Sequence, residues 1–181
     1  MTSYKHWRNY PKNKDCCFIT SSIEGFLPLL AQPVNARMVL SALDFYRAKY
    51  GFLMHCYVVM REHIHLLLQL EGRIELTKLM ADFKRYTSKQ MLQWCQDQGR
   101  SEWLTFFAER GTVDGEAYSI WQRSFRSVPL ESESDALTKA RYIHDNPVRK
   151  GYVAEASDWP YSSAAAYEGG VTPIGVDVIT L

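Results

Sequence analysis

Residues 61–70 read REHIHLLLQL, and the placing of two histidines in so apolar a run decides the fold. Side chains alternate across a β-strand, so His63, His65, Leu67 and Gln69 share one face. Ile64, Leu66, Leu68 and Leu70 share the other. Immediately before it, FLMHCYVVM (52–60) is a second strand-like run, and Arg61-Glu62 is a tight connection between the two. Both strands are apolar on both faces, as in the centre of an antiparallel sheet. Two imidazoles therefore stand side by side at one end of a face that is otherwise apolar. On their own they read more simply as one hydrogen-bonded core histidine and one exposed histidine than as metal ligands.

Outward from this hairpin the pattern continues. CCFIT (16–20) reads as a first strand, and SSIEGFLPLL (21–30) as a loop. In ARMVLSALDFYRAKYG the residues Met38, Leu40, Leu43, Phe45 and Tyr46 recur at three- and four-residue steps, giving an amphipathic helix stopped by Gly51. A second helix runs from Ile74 to Gln96, with Lys78, Lys84, Arg85 and Lys89 on its polar face. Residues 97–119 follow no single period and read as a variable excursion, and IWQRSF (120–125) as a short strand or turn. A further helix starts near Ser134 and ends near Asn146, where Pro147 interrupts it. The order points to an α+β fold, a ferredoxin-like antiparallel sheet with helices packed on one face. The expected divisions are a basic, aromatic N-terminal arm (1–15), a main domain (16–163) and a surface tail (164–181).

The chain has 181 residues, 46% apolar and 23% charged, with a net charge of +1, so only local basic patches are available to bind nucleic acid. Cys16, Cys17, Cys56 and Cys95 show no CxxC spacing and are expected as free thiols in a reducing cytoplasm. No run approaches the ~18 apolar residues of a membrane span.

On the third helix Tyr142 and Asn146 lie four residues apart, one turn from each other, while Leu137, Ala140 and His144 fall mostly on the opposite side. Two imidazoles and one amide oxygen leave coordination positions open for phosphate oxygens and water, which suits Mg²⁺ or Mn²⁺. Read apart from the histidines, Tyr142 is more simply an ordinary surface tyrosine and Asn146 the residue before a proline turn. Tyr86, set among Lys84, Arg85 and Lys89, is a competing nucleophile.

Four blocks in order, VVMREHIHLLLQL, IWQRSF, YIHDNPVRKGYV and DWPYSS, resemble the single-tyrosine HUH transposases of IS200-like type, and within them most closely the REP-associated tyrosine transposases. The resemblance runs from about Cys16 to Ser163. It implies a nuclease domain that cleaves single-stranded or hairpin DNA through a covalent 5′-phosphotyrosine and transfers the strand. It further implies that Tyr142 is the nucleophile and that His63, His65 and Asn146 bind the metal ion. The sequence departs from members that carry Pro-Asn or Pro-Glu before the first histidine, having Arg61-Glu62 instead.

For such a substrate, basic residues track the backbone and aromatics stack on bases. The candidates are Tyr4, Lys5, Trp7 and Arg8 in the arm; Lys84, Arg85 and Lys89 on the second helix; and Trp121 and Arg123 in the third block. A non-cleaving binding module and a metal-dependent phosphodiesterase using water are the alternatives. Whether the chain acts as a monomer or a homodimer stays open.

Overall fold

In the computed structural model, which describes residues 16–177, β3 (His63–Gln69) lies in the interior of a four-stranded antiparallel sheet. Its neighbours are β1 (Cys16–Ser22) and β2 (Leu53–Val59), and β4 (Arg126–Pro129) pairs with the far side of β1, giving the order β2-β3-β1-β4. Between β1 and β2 runs α1 (Pro33–Tyr50); after β3 come α2 (Leu76–Asp97) and α3 (Ser101–Asp114). After β4 come α4 (Glu133–His144) and the single turn α5 (Asn146–Arg149). This is the expected ferredoxin-like arrangement.

The helices cover both faces of the sheet, not one as expected. On the first face Ile19, Leu66 and Leu68 pack against Val39, Leu40 and Leu43 of α1 and against Leu79, Met80 and Phe83 of α2. On the second, Phe18, Cys56, Val58 and Leu67 pack beneath Ala136, Ala140 and Ile143 of α4. The cause is legible in β3 itself. Leu66, Leu67 and Leu68 are all fully buried, and consecutive strand residues can only be so when both faces are covered. Cys16 and Cys17 go to opposite faces, and the four cysteines are buried free thiols.

Two further expectations are corrected. Most of the excursion at 97–119 is helix α3, which inserts Phe107 into the core and leaves Trp103, Leu104 and Phe106 half-buried. Its apolar period is weak because one residue anchors it. Gly111 lets the chain fold straight back, since a Cβ there would meet the Tyr118 backbone nitrogen at 2.5 Å. The region expected as a surface tail is also tied down, as far as it is described. Ile174 joins the core, and the Asp177 carboxylate accepts from the Met54 N–H at 2.9 Å and pairs with Arg47 at 2.7 Å. Just before it, the Val59 N–H donates to the Tyr161 carbonyl and the Ser163 N–H to the Tyr57 carbonyl. The exposed edge of β2 is thereby capped, as an edge strand requires.

Candidate active site

On β1 and β3 the second face of the sheet is apolar only up to the level of Phe18 and Leu67, while on β2 it stays apolar through Val58. Beyond it the register sets Thr20 opposite His65 and Ser22 opposite His63, and the apolar floor gives way to polar groups. His65 is buried and His63 half-buried, with their Nε2 atoms 3.1 Å apart. Each outer nitrogen has an oxygen partner. His63 Nδ1 lies 3.2 Å from the Glu62 carboxylate, and His65 Nδ1 lies 2.8 Å from the Thr20 hydroxyl.

A carboxylate only accepts, so His63 donates its Nδ1–H and presents a bare Nε2. His65 then has two states. It donates Nε2–H to His63 while accepting from Thr20, or it donates Nδ1–H to Thr20 and adds a second lone pair. The latter is the tautomer of a metal chelate with its outer nitrogens held. Burial, reinforced by His63 and Arg149, pulls His65 down to about 3. Burial lowers His63 as well, with Glu62 acting against it. Both imidazoles are therefore neutral at neutral pH, as ligands must be. Among the described residues no group of three or more His, Cys, Asp or Glu could hold a metal. Asn146, buried and lining the same cleft, offers an amide oxygen as a further donor. The residues present fit a divalent ion with an open, oxygen-rich coordination sphere.

α4 brings the tyrosine. Its N-terminus is capped by Ser132, whose hydroxyl accepts from the Asp135 N–H at 3.1 Å. The small residues Ala136 and Ala140 face the sheet and allow a close approach. The Tyr142 ring consequently lies 5.4 Å from the His65 ring, centroid to centroid, and edge-on to Phe18 at 5.8 Å. Its helix belongs to the same chain. The Arg149 guanidinium sits 4.1 Å above the Tyr142 ring, and the Lys139 ammonium lies 5.7 Å from it. Arg149 and Lys150 frame a cleft of about 500 Å³ whose floor is the histidine pair.

A model of the family described as IS200-like transposases matches residues 29–146, a stretch that includes His63, His65, Tyr142 and Asn146. The chain belongs to the IS200-like transposase family. Over 110 residues it is 32% identical to a Haemophilus influenzae protein grouped with the REP-associated tyrosine transposases, covering 58% of this chain and 54% of that relative. Over 45 residues it is 38% identical to the REP-associated tyrosine transposase of Escherichia coli K12, covering 25% of this chain and 27% of that protein. The chain thus spans about half, or less, of the length of the curated relatives it matches. Among solved structures it is similar to a REP-associated tyrosine transposase bound to a REP hairpin, with a TM-score of 0.61 and 24% identity over 100% of this chain and 94% of that one. That likeness extends the fold assignment to nearly the whole domain.

The structure thus brings His63, His65, Tyr142 and Asn146 of this IS200-like chain together in one cleft. It does not bring there the basic residues of α2. Lys84 donates to the carbonyls of Gln122, Arg123 and Ser124, the first at 2.8 Å, and so anchors that loop. Arg85 pairs with Asp82 on its own helix, and Lys89 is exposed on α2, across the sheet from the cleft. Tyr86, the competing nucleophile, is on that far face too, edge-on to Tyr46.

Trp121 is corrected from a base-stacking residue to a core anchor. It is buried, donates its Nε1–H to the Thr87 hydroxyl at 2.9 Å and packs on Phe83. Arg123 is exposed in the loop. Tyr4, Lys5, Trp7 and Arg8 lie outside the described residues. Sequence reasoning missed Thr20, Arg149 and Lys150. The last two sit in the YIHDNPVRKGYV block, whereas Thr20 enters only through the pairing of β1 with β3.

Proposed function

We propose that this IS200-like chain is a metal-dependent endonuclease and strand transferase that acts on single-stranded or hairpin DNA. The reading rests on one observation: Tyr142 stands beside the paired Nε2 atoms of His63 and His65, under the Arg149 cation. The hairpin as substrate is supported by the structural neighbour bound to one.

In this reading the Tyr142 hydroxyl attacks a phosphodiester phosphorus. An Oη–P bond forms, the bond from phosphorus to the 3′ oxygen breaks, and the phenol proton is released as the 3′ oxygen gains one. The products are a 5′-phosphotyrosine and a free 3′-hydroxyl. Because the ester conserves the bond, a 3′-hydroxyl can reverse the attack and rejoin strands without ATP. Arg149 and Lys150 attract and orient the phosphate. A divalent ion, Mg²⁺ or Mn²⁺, held by His63, His65 and Asn146, would supply Lewis-acid charge at the phosphate oxygens. Thr20 and Glu62 hold the imidazoles in the tautomer that accepts it.

The test is incubation with labelled hairpin oligonucleotides and Mn²⁺, resolved on a denaturing gel. The expected result is a covalent protein–DNA adduct that is lost in Tyr142→Phe. Binding without cleavage would make the chain a binding module. Free products without an adduct would make it a phosphodiesterase that uses water.

A further inference from the structure

The turn after β1 holds a residue for which this chemistry has no use. Phe26 is 62% exposed and lines the same cleft as His63, His65 and Tyr142. It adopts φ +53°, next to Gly25 at +60°, so two successive residues occupy the left-handed region. A bulky residue persists there only where its surroundings over-determine it.

They do so here. The Phe26 N–H donates to the Ile23 carbonyl at 3.0 Å, and the Glu24 N–H to the Ile120 carbonyl at 2.8 Å. The Ile23 N–H donates to the Glu62 carbonyl at 2.8 Å, tying the turn to the residue before the histidines. From α3, the Phe106 ring lies so close beneath Gly25 that any Cβ would collide with it. The left-handed turn is fixed from several sides, and what it presents to the cleft is an apolar ring in water. Folding gains little from a ring so exposed, and the backbone is strained to hold it there.

We propose that Phe26 is a stacking platform for the nucleobase adjacent to the phosphate that Tyr142 attacks. The inference rests on the proposed function and adds a base-binding site to it. A single strand alternates anionic phosphate with flat, apolar base, and the cleft matches that alternation, with Arg149 and Lys150 for the phosphate and Phe26 for the base. Its volume of about 500 Å³ suits a ligand of nucleotide size. Every base has a π-face, so the platform fixes position without reading sequence. It also gives α3 a role, as the support beneath the turn.

The test uses hairpin oligonucleotides carrying a single 2-aminopurine in the unpaired bases at the hairpin foot, bound to the Tyr142→Phe protein so that nothing is cleaved. One position is expected to be quenched on binding. The quench should survive Phe26→Trp and disappear in Phe26→Asn, with binding weakened roughly 5- to 150-fold. Asparagine tolerates a left-handed backbone, so the melting temperature of Phe26→Asn should not fall. Quench and affinity unchanged in Phe26→Asn would overturn the platform, and a quench lost together with a collapse in melting temperature would assign Phe26 to the fold instead. Adduct formation by the Tyr142-containing protein is scored separately. An adduct with no Phe26-dependent quench removes the platform and keeps the function. A Phe26-dependent quench without any adduct keeps the platform on a protein that only binds.

Discussion

Thr20→Val tests whether the strand next to the histidines sets their chemistry. Valine keeps the branched shape that suits β1, so burial and pairing are retained, but it cannot accept a hydrogen bond from His65 Nδ1. His65 is buried and neutral, with burial holding it at about 3, so as a ligand it would be set by its tautomer rather than by its charge. A neutral hydrogen bond is worth about 0.5–1.5 kcal/mol. Removing an outer partner of a metal-binding histidine costs about 10- to 100-fold in metal affinity. The Ile19 carbonyl, which also interacts with His65, remains as an acceptor and limits the damage. The expectation is therefore the low end, about tenfold weaker Mn²⁺ binding or ~1.4 kcal/mol. Titration calorimetry measures this directly. In the gel assay the Mn²⁺ concentration for half-maximal adduct should rise about tenfold, with the yield at saturating ion retained and Thr20→Ser restoring the original curve. An unshifted Mn²⁺ dependence would refute the tautomer argument. A lower yield at saturation with an unshifted midpoint would mean that the hydroxyl touches substrate instead.

His63→Ala should abolish the adduct while hairpin affinity stays within a few-fold, because phosphate and stacking contacts carry binding; loss of both together would show that the histidine holds the fold. Hairpin binding should weaken steeply with salt, and Arg149→Ala should flatten the log–log slope by about 0.7, the share of one phosphate contact on a single strand; an unchanged slope would place Arg149 outside the DNA path. Stability should also depend on pH through His144, which burial pulls down to about 3 and whose Nε2 lies 2.8 Å from the Ser163 hydroxyl. Its folded value lies below the ordinary ~6.5, so the unfolded chain protonates first. The His144 contribution should be level above about pH 6.5 and fall as pH drops below it, by up to about 1.4 kcal/mol per pH unit, and in the absence of metal His65, also held at about 3, adds to the same slope. Asp82 stays out of the range between pH 7 and 4.5, because its ordinary carboxylate value and its folded value of about 2, held there by hydrogen bonds from Tyr50 and Lys78, both lie below it. Urea midpoints in EDTA between pH 7 and 4.5 measure the slope, and His144→Gln should reduce it.

Much of the architecture is legible in two periodicities. The alternation in HIHLLLQL puts both histidines on one strand face, and the four-residue step from Tyr142 to Asn146 puts both of those residues on one side of a helix end. Neither depends on long-range information. What sequence could not supply was register. Thr20 becomes the partner of His65 only because Ser22 lies opposite His63, a matter of strand pairing that no local pattern encodes. Burial was the second gap. Trp121 sits in a basic, aromatic block that suggests a DNA contact, yet its indole is satisfied inside the protein by Thr87. Lys84 has the composition of a phosphate contact and is used instead to hold three carbonyls of a loop. Charge and aromaticity say what a side chain can bind, not what already occupies it.

The division of the sheet explains why the site forms within one chain. α1 and α2 bury the first face along its length, so that face carries the stability. Over β1 and β3, α4 covers the second face only as far as Phe18 and Leu67, with residues small enough to lie close, and those two strands run on past it. The polar ends of β1 and β3 are therefore exposed directly beside the last turn of α4, where Tyr142 projects. On the proposed reading, a nucleophile that attacks a phosphodiester and later releases it has to occupy one position in both directions. That demand is met by a capped helix and a central strand, each packed on the other, rather than by loops free to drift. The cations then arrive without a separate element, because the turn after Pro147 places Arg149 over the same ring.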